Sequence, residues 1–436
     1  DATLVLDMAD STFTITGGAS TLDELNYNLD NTGTDNLTST GIEVLDLDID
    51  ATSTLNLSTT TGVTTLDIDT DAGSLTFTAD QLTGSELIKV TSAGAASVIE
   101  PKLASSTGTA DSISFELKGG TIDDNTTLQT NDIETINLKV SSIETVKLGT
   151  LGAITDTETY SKLILTGDKA LTATTTGADI TTIDASGMGD GGAFIQKARS
   201  ATTAVTYTGS SGNDTFIMQL GTDVIDGGEK SSDADLLDVD FTGVLGKIAV
   251  DLGATGDQVT TFNGIADTTI QQNFEGVDLS GYTNYGSQVI GSNDKDIVDT
   301  VTGTALVDSI SLQKGNDIYT VTAGNDVVDM GAGDDTVNIT GVQWTARAAT
   351  GDTLTFGDGT DKLVGSSVSA TIIDDDFGLI TGLETIELAD GTNGVVLGAK
   401  AKAAGIVTVT GGTGADSITL HDAVATLAVA TGNDAI

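Results

Sequence analysis

A nine-residue repeat runs from Gln313 to Ile339 and limits the folds open to this chain. It reads QKGNDIYTV, TAGNDVVDM and GAGDDTVNI, and each unit places an aspartate directly after a Gly-Asn or Gly-Asp pair. Asp317, Asp326 and Asp335 are therefore nine residues apart, and each precedes a short β-branched or aromatic run. So short a unit cannot bury an apolar face alone, and its copies must stack to form a core. The repeat predicts a β-solenoid.

Related units occur elsewhere, in the segments 209–240, 290–340, 350–365 and 410–436. GGTGADSIT (411–419) is the most regular copy. The aspartates at the repeat position are the candidate metal ligands: Asp214, Asp223, Asp235, Asp296, Asp317, Asp326, Asp335, Asp361, Asp416 and Asp434. Asp299, Asp308 and Asp352 fit the nine-residue spacing but lack the glycine two positions earlier, so we do not assign them as ligands.

The residue two positions after the repeat aspartate is apolar and is predicted to form the core, with one inward side chain per short strand. These residues are Phe216, Ile225, Leu237, Val298, Tyr319, Val328, Val337, Leu363, Ile418 and Ile436.

The N-terminal part has a different pattern. Residues 1–205 lack the regularly spaced Gly-x-Asp turns and alternate threonine with aliphatic and acidic residues, as half-buried strands do. We therefore predict a Thr-rich β-solenoid over 1–205 and a repeat-containing β-roll or β-solenoid over 206–436. Helices are expected to be few, with 78–88 and 397–405 as the candidates.

A second motif recurs in both parts, as IEVLDL, IETINL, IETVKL, FEGVDL and LETIEL. Its glutamates are Glu43, Glu134, Glu144, Glu275 and Glu384. We interpret them as structural residues that cap turns or accept hydrogen bonds from backbone amides where one strand ends and the next begins.

Charge excludes several partners. The chain has 64 acidic and 17 basic residues and a formal net charge of −47. Nucleic acid and anionic membrane surfaces would be repelled, because no basic patch is available to neutralise phosphates. At 38%, the hydrophobic content is too high for a disordered acidic tail. No apolar run is long enough for a transmembrane segment, and cysteine is absent, so the core is not held by disulfides.

The spacing of the aspartates indicates a cation. Two carboxylates ~5 Å apart repel by about 3 kcal/mol at an effective dielectric of 20. A divalent cation between them reverses the sign of this term, and carboxylate and carbonyl oxygens suit Ca²⁺. The alternative is a metal-free solenoid in which Asn-Asp and Gly-Asp simply form good turns.

Catalysis is not expected. His421 is the only histidine, which excludes a His-Glu-x-x-His zinc site, and we predict that it lies at the surface. GSSGN (209–213) does not match the Gly-x-Ser-x-Gly nucleophile motif, and thiol chemistry needs a cysteine.

The Gly-Gly-x-Gly-x-Asp-x-apolar-x units, best matched at 411–419, resemble the RTX family, whose members form calcium-bound parallel β-rolls. Set in Thr- and Gly-rich sequence without cysteine, they make the chain similar to the surface-layer (S-layer) proteins of Gram-negative bacteria. The resemblance implies multiple Ca²⁺ ions, type I secretion to the cell surface and self-assembly into a two-dimensional lattice. It also implies anchoring to lipopolysaccharide through a region outside this sequence, which we interpret as a piece of a longer protein.

Two alternatives remain open. The chain could be a calcium-dependent RTX adhesin or biofilm-matrix protein, although adhesins usually show tandem domains of about 100 residues. It could also be the carrier region of a secreted hydrolase.

Overall fold

A computed structural model describes the chain except residues 1–5, 8–11, 19–21, 31, 71–72, 95, 107, 109, 123–124, 143, 153–160, 190, 201, 229–232, 242, 244, 341–342, 344–350, 366–370, 423, 425, 429–434 and 436. Two compact units divide the chain, Asp1–Ile217 and Met218–Ile436.

The secondary structure is almost entirely short strands. The first twenty are β1 Leu6–Asp7, β2 Thr12–Thr16, β3 Glu24–Leu29, β4 Gly33–Thr40, β5 Val44–Ile49, β6 Ser53–Thr61, β7 Thr65–Thr70, β8 Thr76–Leu82, β9 Leu87–Ala93, β10 Val98–Leu103, β11 Ser112–Ile122, β12 Thr127–Leu128, β13 Thr135–Val140, β14 Val146–Leu151, β15 Ser161–Gly167, β16 Leu171–Thr176, β17 Ile180–Met188, β18 Phe194–Gln196, β19 Thr206–Thr208 and β20 Thr215–Met218.

The remaining elements are β21 Val224–Asp226, β22 Leu236–Val239, β23 Ile248–Asp251, β24 Val259–Phe262, β25 Ile265–Ala266, β26 Gln271–Gln272, β27 Gly276–Asp278, β28 Ser287–Ile290, β29 Thr300–Thr302, β30 Ser309–Ser311, β31 Ile318–Thr320, β32 Val327–Asp329, β33 Thr336–Ile339, β34 Thr353–Thr355, β35 Lys362–Gly365, β36 Thr371–Ile372, a 3-10 helix Asp374–Phe377, β37 Ile380–Thr381, β38 Thr385–Glu387, β39 Gly394–Val396, helix α1 Ala399–Ala404, β40 Thr408–Thr410, β41 Ser417–Thr419 and β42 Thr426–Ala428.

The first unit is a parallel β-solenoid in which successive strands alternate between two sheets. One sheet contains the run β3–β5–β7–β9–β11–β13–β15–β17, and the other contains β4–β6–β8–β10–β12–β14–β16. Equivalent apolar residues stack along each sheet, so that Leu25 lies beside Leu45 and Leu45 beside Leu66. All three side chains are buried. Each solenoid turn thus completes the core of its neighbours.

The second unit repeats this architecture with shorter strands. We name its two main sheets sheet I (β22, β27, β29, β31, β33, β35, β38, β40, β42) and sheet II (β23, β28, β30, β32, β34, β37). Both sheets are parallel, and the hairpin β23–β24–β25 adds an antiparallel edge to sheet II. A smaller parallel sheet contains β36, β39 and β41. The predicted all-β, parallel solenoid fold is confirmed.

Each coil from β29 to β33 is 18 residues long and comprises two of the nine-residue units. Tyr319 pairs with Val301 and Val337 in sheet I, whereas Val328, nine residues after Tyr319, pairs with Ile310 in sheet II. Aspartates nine residues apart therefore enter different sheets, and aspartates 18 apart are neighbours. The direct stacking of consecutive nine-residue units suggested by the sequence is wrong, because each unit is half a coil.

The predicted core positions are buried wherever the structure describes them, with one exception. Phe216, Ile225, Leu237, Tyr319, Val328, Val337, Leu363 and Ile418 are all buried, and Ile436 lies outside the described residues. Val298 is 41% exposed, and Val301 takes its place beside Tyr319. The register predicted for 291–299 is thus wrong by three residues, because the loop before β29 is longer than those of later coils.

This register predicts the cost of two matched substitutions. Val301→Ala is expected to lower the free energy of unfolding by about 2 kcal/mol, because it removes buried methyl groups and leaves a cavity. Val298→Ala is expected to change it by less than about 0.5 kcal/mol, because that side chain is partly exposed. Urea unfolding of both variants checks this, and an equal loss for the two would contradict the register.

Of the two predicted helices, one is present. The segment 397–405 contains α1, which ends at Gly405 in a left-handed conformation with φ of 110°. The prediction over 78–88 is wrong, since these residues contribute to strands β8 and β9. The turn between them is closed by the Glu86 carboxylate, which accepts hydrogen bonds from the backbone N–H groups of Thr83 and Gly84.

Candidate metal centre

An acidic residue stands directly before each of seven consecutive strands of sheet I. We call this set the first acidic column: Asp235, Glu275, Asp299, Asp317, Asp335, Asp361 and Glu384. The side chain before a strand lies where the chain leaves a loop and joins the sheet. Because neighbouring parallel strands are about 4.8 Å apart, these residues form a closely spaced row of carboxyl groups.

A hydrogen bond from the backbone of the preceding coil fixes three aspartates of the column. One oxygen of Asp317 accepts from the backbone N–H of Asp299 at 2.9 Å, and Asp335 accepts from Asp317 at 2.8 Å. The same contact joins Asp361 to the N–H of Asp335 at 2.8 Å. Asp317, Asp335 and Asp361 thus cap the preceding coil with Oδ1, and Oδ2 is left for another partner.

The glutamates of the IETINL-type motif make the same contact. Glu275 accepts from the N–H of Asp235 at 3.1 Å, and Glu384 accepts from that of Asp361 at 2.9 Å. In the first unit, the amides of Asp23 and Asp111 donate to Glu43 and Glu134. The structural role predicted for these four glutamates is confirmed. Glu144 makes a different contact, since its own N–H donates to the Ser142 hydroxyl.

The second carboxylate oxygens of Asp317, Asp335 and Asp361 carry the case for a cation. The three residues are 0% exposed, and Oδ2 of each is buried without a hydrogen-bond partner among the described residues. A buried polar atom left in this way costs about 1–3 kcal/mol, and more when the group is charged. An oxygen-coordinating cation would supply the missing partner, so these side chains fit a Ca²⁺ ion.

Burial also disfavours the charged form of these acids. It raises the pKa of Asp317 to about 8, and the charges of Asp299 and Asp335 contribute to the rise. The pKa of Asp335 is raised to about 7 by burial and then by Asp361, and that of Asp361 to about 6 by burial and then by Glu384. Near neutral pH, these carboxyl groups ionise either beside a positive partner or at the expense of the free energy of folding.

Glycines bring carbonyl oxygens close to the column. Gly333 has φ of 144°, and a Cβ there would collide with the carbonyl oxygen of Gly315. Gly359 has φ of 155°, and a Cβ there would collide with the carbonyl oxygen of Gly333. The loops before β33 and β35 therefore need glycine, both for the backbone angle and for the close approach. Oxygen atoms of the main chain are concentrated beside the carboxylates as a result.

A second, shorter acidic column stands before strands of sheet II. Its members are Asp308, Asp326 and Asp352, which are 1–4% exposed. The N–H of Asp308 donates to Asp326 at 2.9 Å, and that of Asp326 donates to Asp352 at 2.9 Å. Burial, followed by the charges of Asp308 and Asp352, raises the pKa of Asp326 to about 7. The two columns thus share one backbone geometry.

Three other predicted ligands lie apart from these columns and accept hydrogen bonds from the protein. Asp214 accepts from the N–H of Phe194 and from both the N–H and hydroxyl of Ser210. Asp223 accepts from the N–H groups of its own loop, at residues 219 and 220. Asp416 accepts from the backbone and side-chain amide of Asn393.

One further predicted ligand among the described residues is not in a column. Asp296 is exposed and contacts the Lys295 ammonium at 2.5 Å, while Asp299 occupies the column position. Asp434 lies outside the described residues. The structure therefore brings Asp235, Asp317, Asp335 and Asp361 together in the first column and places Asp326 in the second.

Sequence reasoning did not include Asp299, Glu275 and Glu384 among the candidate ligands. A usable signal exists, because each stands two residues before a buried apolar side chain, as Asp317 stands before Tyr319. At the start of the column, ligand oxygens of Asp233, Asp235 and Glu275 lie within 4.8 Å of one another.

In comparisons with known proteins, no family model, curated protein or solved structure matches the chain. Among the described residues, no helix has the length and apolarity required to cross a membrane.

Proposed function

We propose that this chain is a calcium-binding structural protein that assembles into an extracellular surface layer. The observation that carries the proposal is the row of buried Oδ2 atoms at Asp317, Asp335 and Asp361, which have no hydrogen-bond partner among the described residues. Side chains and main chain offer only oxygen there, which favours a hard divalent cation over a transition metal. Asp317, Asp335 and Asp361 would hold the ions.

Calcium would then couple folding to the compartment. At low calcium, a net charge of −47 and a row of close carboxylates oppose compaction, and the chain stays extended and competent for export. At millimolar calcium outside the cell, the free energy of binding becomes free energy of folding. Cations would also bridge the acidic faces of neighbouring molecules, so assembly would depend on calcium as well.

The surface-layer role is tested by electron microscopy of the purified protein before and after adding millimolar CaCl₂. We expect ordered two-dimensional sheets or tubes with calcium and dispersed particles after chelation. MgCl₂ at the same concentration is the control, because Mg²⁺ loses its water reluctantly and fits an all-protein cage poorly. Monodisperse particles that bind glycans or cells in calcium would contradict the lattice and favour an adhesin.

A further inference from the structure

The two acidic columns differ in what faces the second carboxylate oxygen. In the first column, Oδ2 of Asp317 and of Asp335 has no hydrogen-bond partner among the described residues. In the second column, Oδ2 of Asp326 accepts a hydrogen bond from the Tyr319 hydroxyl at 2.9 Å. The backbone cap through Oδ1 is the same in both columns. Oδ2 lacks a hydrogen-bond partner among the described residues at Asp317 and Asp335, whereas at Asp326 it accepts from a tyrosine hydroxyl.

Tyr319 reaches Asp326 through the interior of the coil. It lies in the middle of β31 in sheet I, is 0% exposed, and has Val301 and Val337 as its sheet neighbours. Those neighbours are aliphatic, so the phenol is the only polar side-chain group among these three stacked residues. The Tyr319 hydroxyl donates its hydrogen bond to Oδ2 of Asp326.

Asp308, the preceding member of the second column, has both carboxylate oxygens hydrogen-bonded within the protein. Its Oδ2 accepts from the backbone N–H of Thr304 at 2.8 Å, and its Oδ1 accepts from the Thr304 hydroxyl at 2.8 Å. The Ser287 N–H and hydroxyl also donate to Oδ1, at 2.6 and 2.8 Å. Four protein donors thus surround a carboxylate that a cation would need to approach.

The loops beside the columns differ in the same sense. The loops before β33 and β35 contain Gly333 and Gly359, which bring carbonyl oxygens close to the first column. The loop before β30 instead contains Leu306 and Val307, and both side chains are partly exposed. Gly324, before β32, also brings a carbonyl oxygen close, that of Leu306. The two sides therefore differ in these exposed aliphatic side chains and in the partner of Oδ2, and both have a glycine beside a carbonyl oxygen.

We infer that this β-roll takes up cations along the first acidic column only, and that the Tyr319 hydroxyl and the Thr304 loop replace the cation along the second. This inference rests on the proposed calcium function and specifies which half of the repeat performs it. Asp326, a predicted ligand, then serves as a metal-free backbone cap.

The test compares two isosteric substitutions in the full chain, Asp335→Asn and Asp326→Asn. Asparagine keeps Oδ1 to accept the backbone N–H, so the cap survives in both variants. Each variant loses the negative charge and replaces Oδ2 with an NH2 group, which in Asp326→Asn donates to the Tyr319 hydroxyl instead of accepting from it. We expect Asp335→Asn to lose at least one bound Ca²⁺ per chain in equilibrium dialysis at pH 8 and to lose part of the rise in Tm on adding calcium. We expect Asp326→Asn to keep the wild-type ion count and the wild-type rise.

The outcomes separate the two claims. An equal loss of ions in both variants would overturn the one-sided assignment and leave the calcium function standing. A wild-type chain that binds no calcium would overturn the calcium function itself. If a variant of the first pair does not fold, Asp317→Asn against Asp308→Asn makes the same comparison one coil earlier, with the same expected contrast and the same contradicting result.

Discussion

Removing calcium at pH 8 is expected to unfold the coils between β29 and β35. Without a cation, Asp317, Asp335 and Asp361 must either ionise side by side in a buried row or hold protons above their ordinary pKa. Two ions, each at about 100 times its Kd, would contribute about 5 kcal/mol together. Domain stabilities are about 5–15 kcal/mol in total, so this loss removes much of the stability of the second unit.

Hydrogen exchange on the intact chain, with and without chelator, measures the effect element by element. We expect the amides of β29, β31, β33 and β35 to lose protection, while β5, β7 and β9 of the first unit retain theirs. The triple variant Asp317→Asn, Asp335→Asn, Asp361→Asn is the control. It keeps the caps and removes the repulsion, so chelation should leave its protection unchanged. Unchanged exchange in the wild-type chain would contradict the prediction.

The metal-free protein is expected to be more stable at pH 5 than at pH 8. An unfolded aspartate has a pKa of about 3.9, whereas the folded values are about 8 for Asp317, about 7 for Asp326 and Asp335, and about 6 for Asp361. Between about pH 4 and 8 the folded chain therefore binds more protons than the unfolded chain. Stability must fall as pH rises through that window.

Urea unfolding of the calcium-free chain from pH 5 to pH 8 checks this dependence. We expect the midpoint to fall steadily, and millimolar calcium to restore it at pH 8 with little effect at pH 5, where protons already neutralise the row. The triple variant Asp317→Asn, Asp335→Asn, Asp361→Asn should show a much flatter profile. A midpoint that rises with pH in the absence of metal would contradict the assigned environment of these carboxyl groups.

The fold could be predicted from the sequence because its signals are local. Each glycine-containing turn, each aspartate and each apolar residue two positions later recurs on a short period, and the core positions Tyr319, Val328 and Val337 followed directly. The pairing partner could not be read in this way. Whether Asp317 stacks on Asp326 or on Asp335 depends on how many strands complete a coil, which is a property of the assembled sheets.

The candidate site was predicted only in part, because strand pairing, which the sequence pattern does not show, selects some of its residues. In the segment 291–299, Asp296 is the aspartate of a unit in a shifted register, whereas Asp299 continues the nine-residue spacing of Asp308 and Asp317. Pairing of β29 with β31 selects Asp299. Glu275 and Glu384 were interpreted only as caps, because neither follows a Gly-x-Asp turn. The hydrogen bond from Tyr319 to Asp326 joins side chains that enter different sheets, so no local pattern in the sequence indicates it.

The central claim is that cations, rather than protons or protein donors, contact the Oδ2 atoms of Asp317, Asp335 and Asp361 in the first acidic column. A calcium anomalous difference map from crystals grown at pH 8 in millimolar CaCl₂ tests this most directly. We expect peaks beside Oδ2 of Asp317, Asp335 and Asp361, with oxygen ligands at about 2.3–2.6 Å. A well-ordered map with no peak at these three atoms would contradict the account.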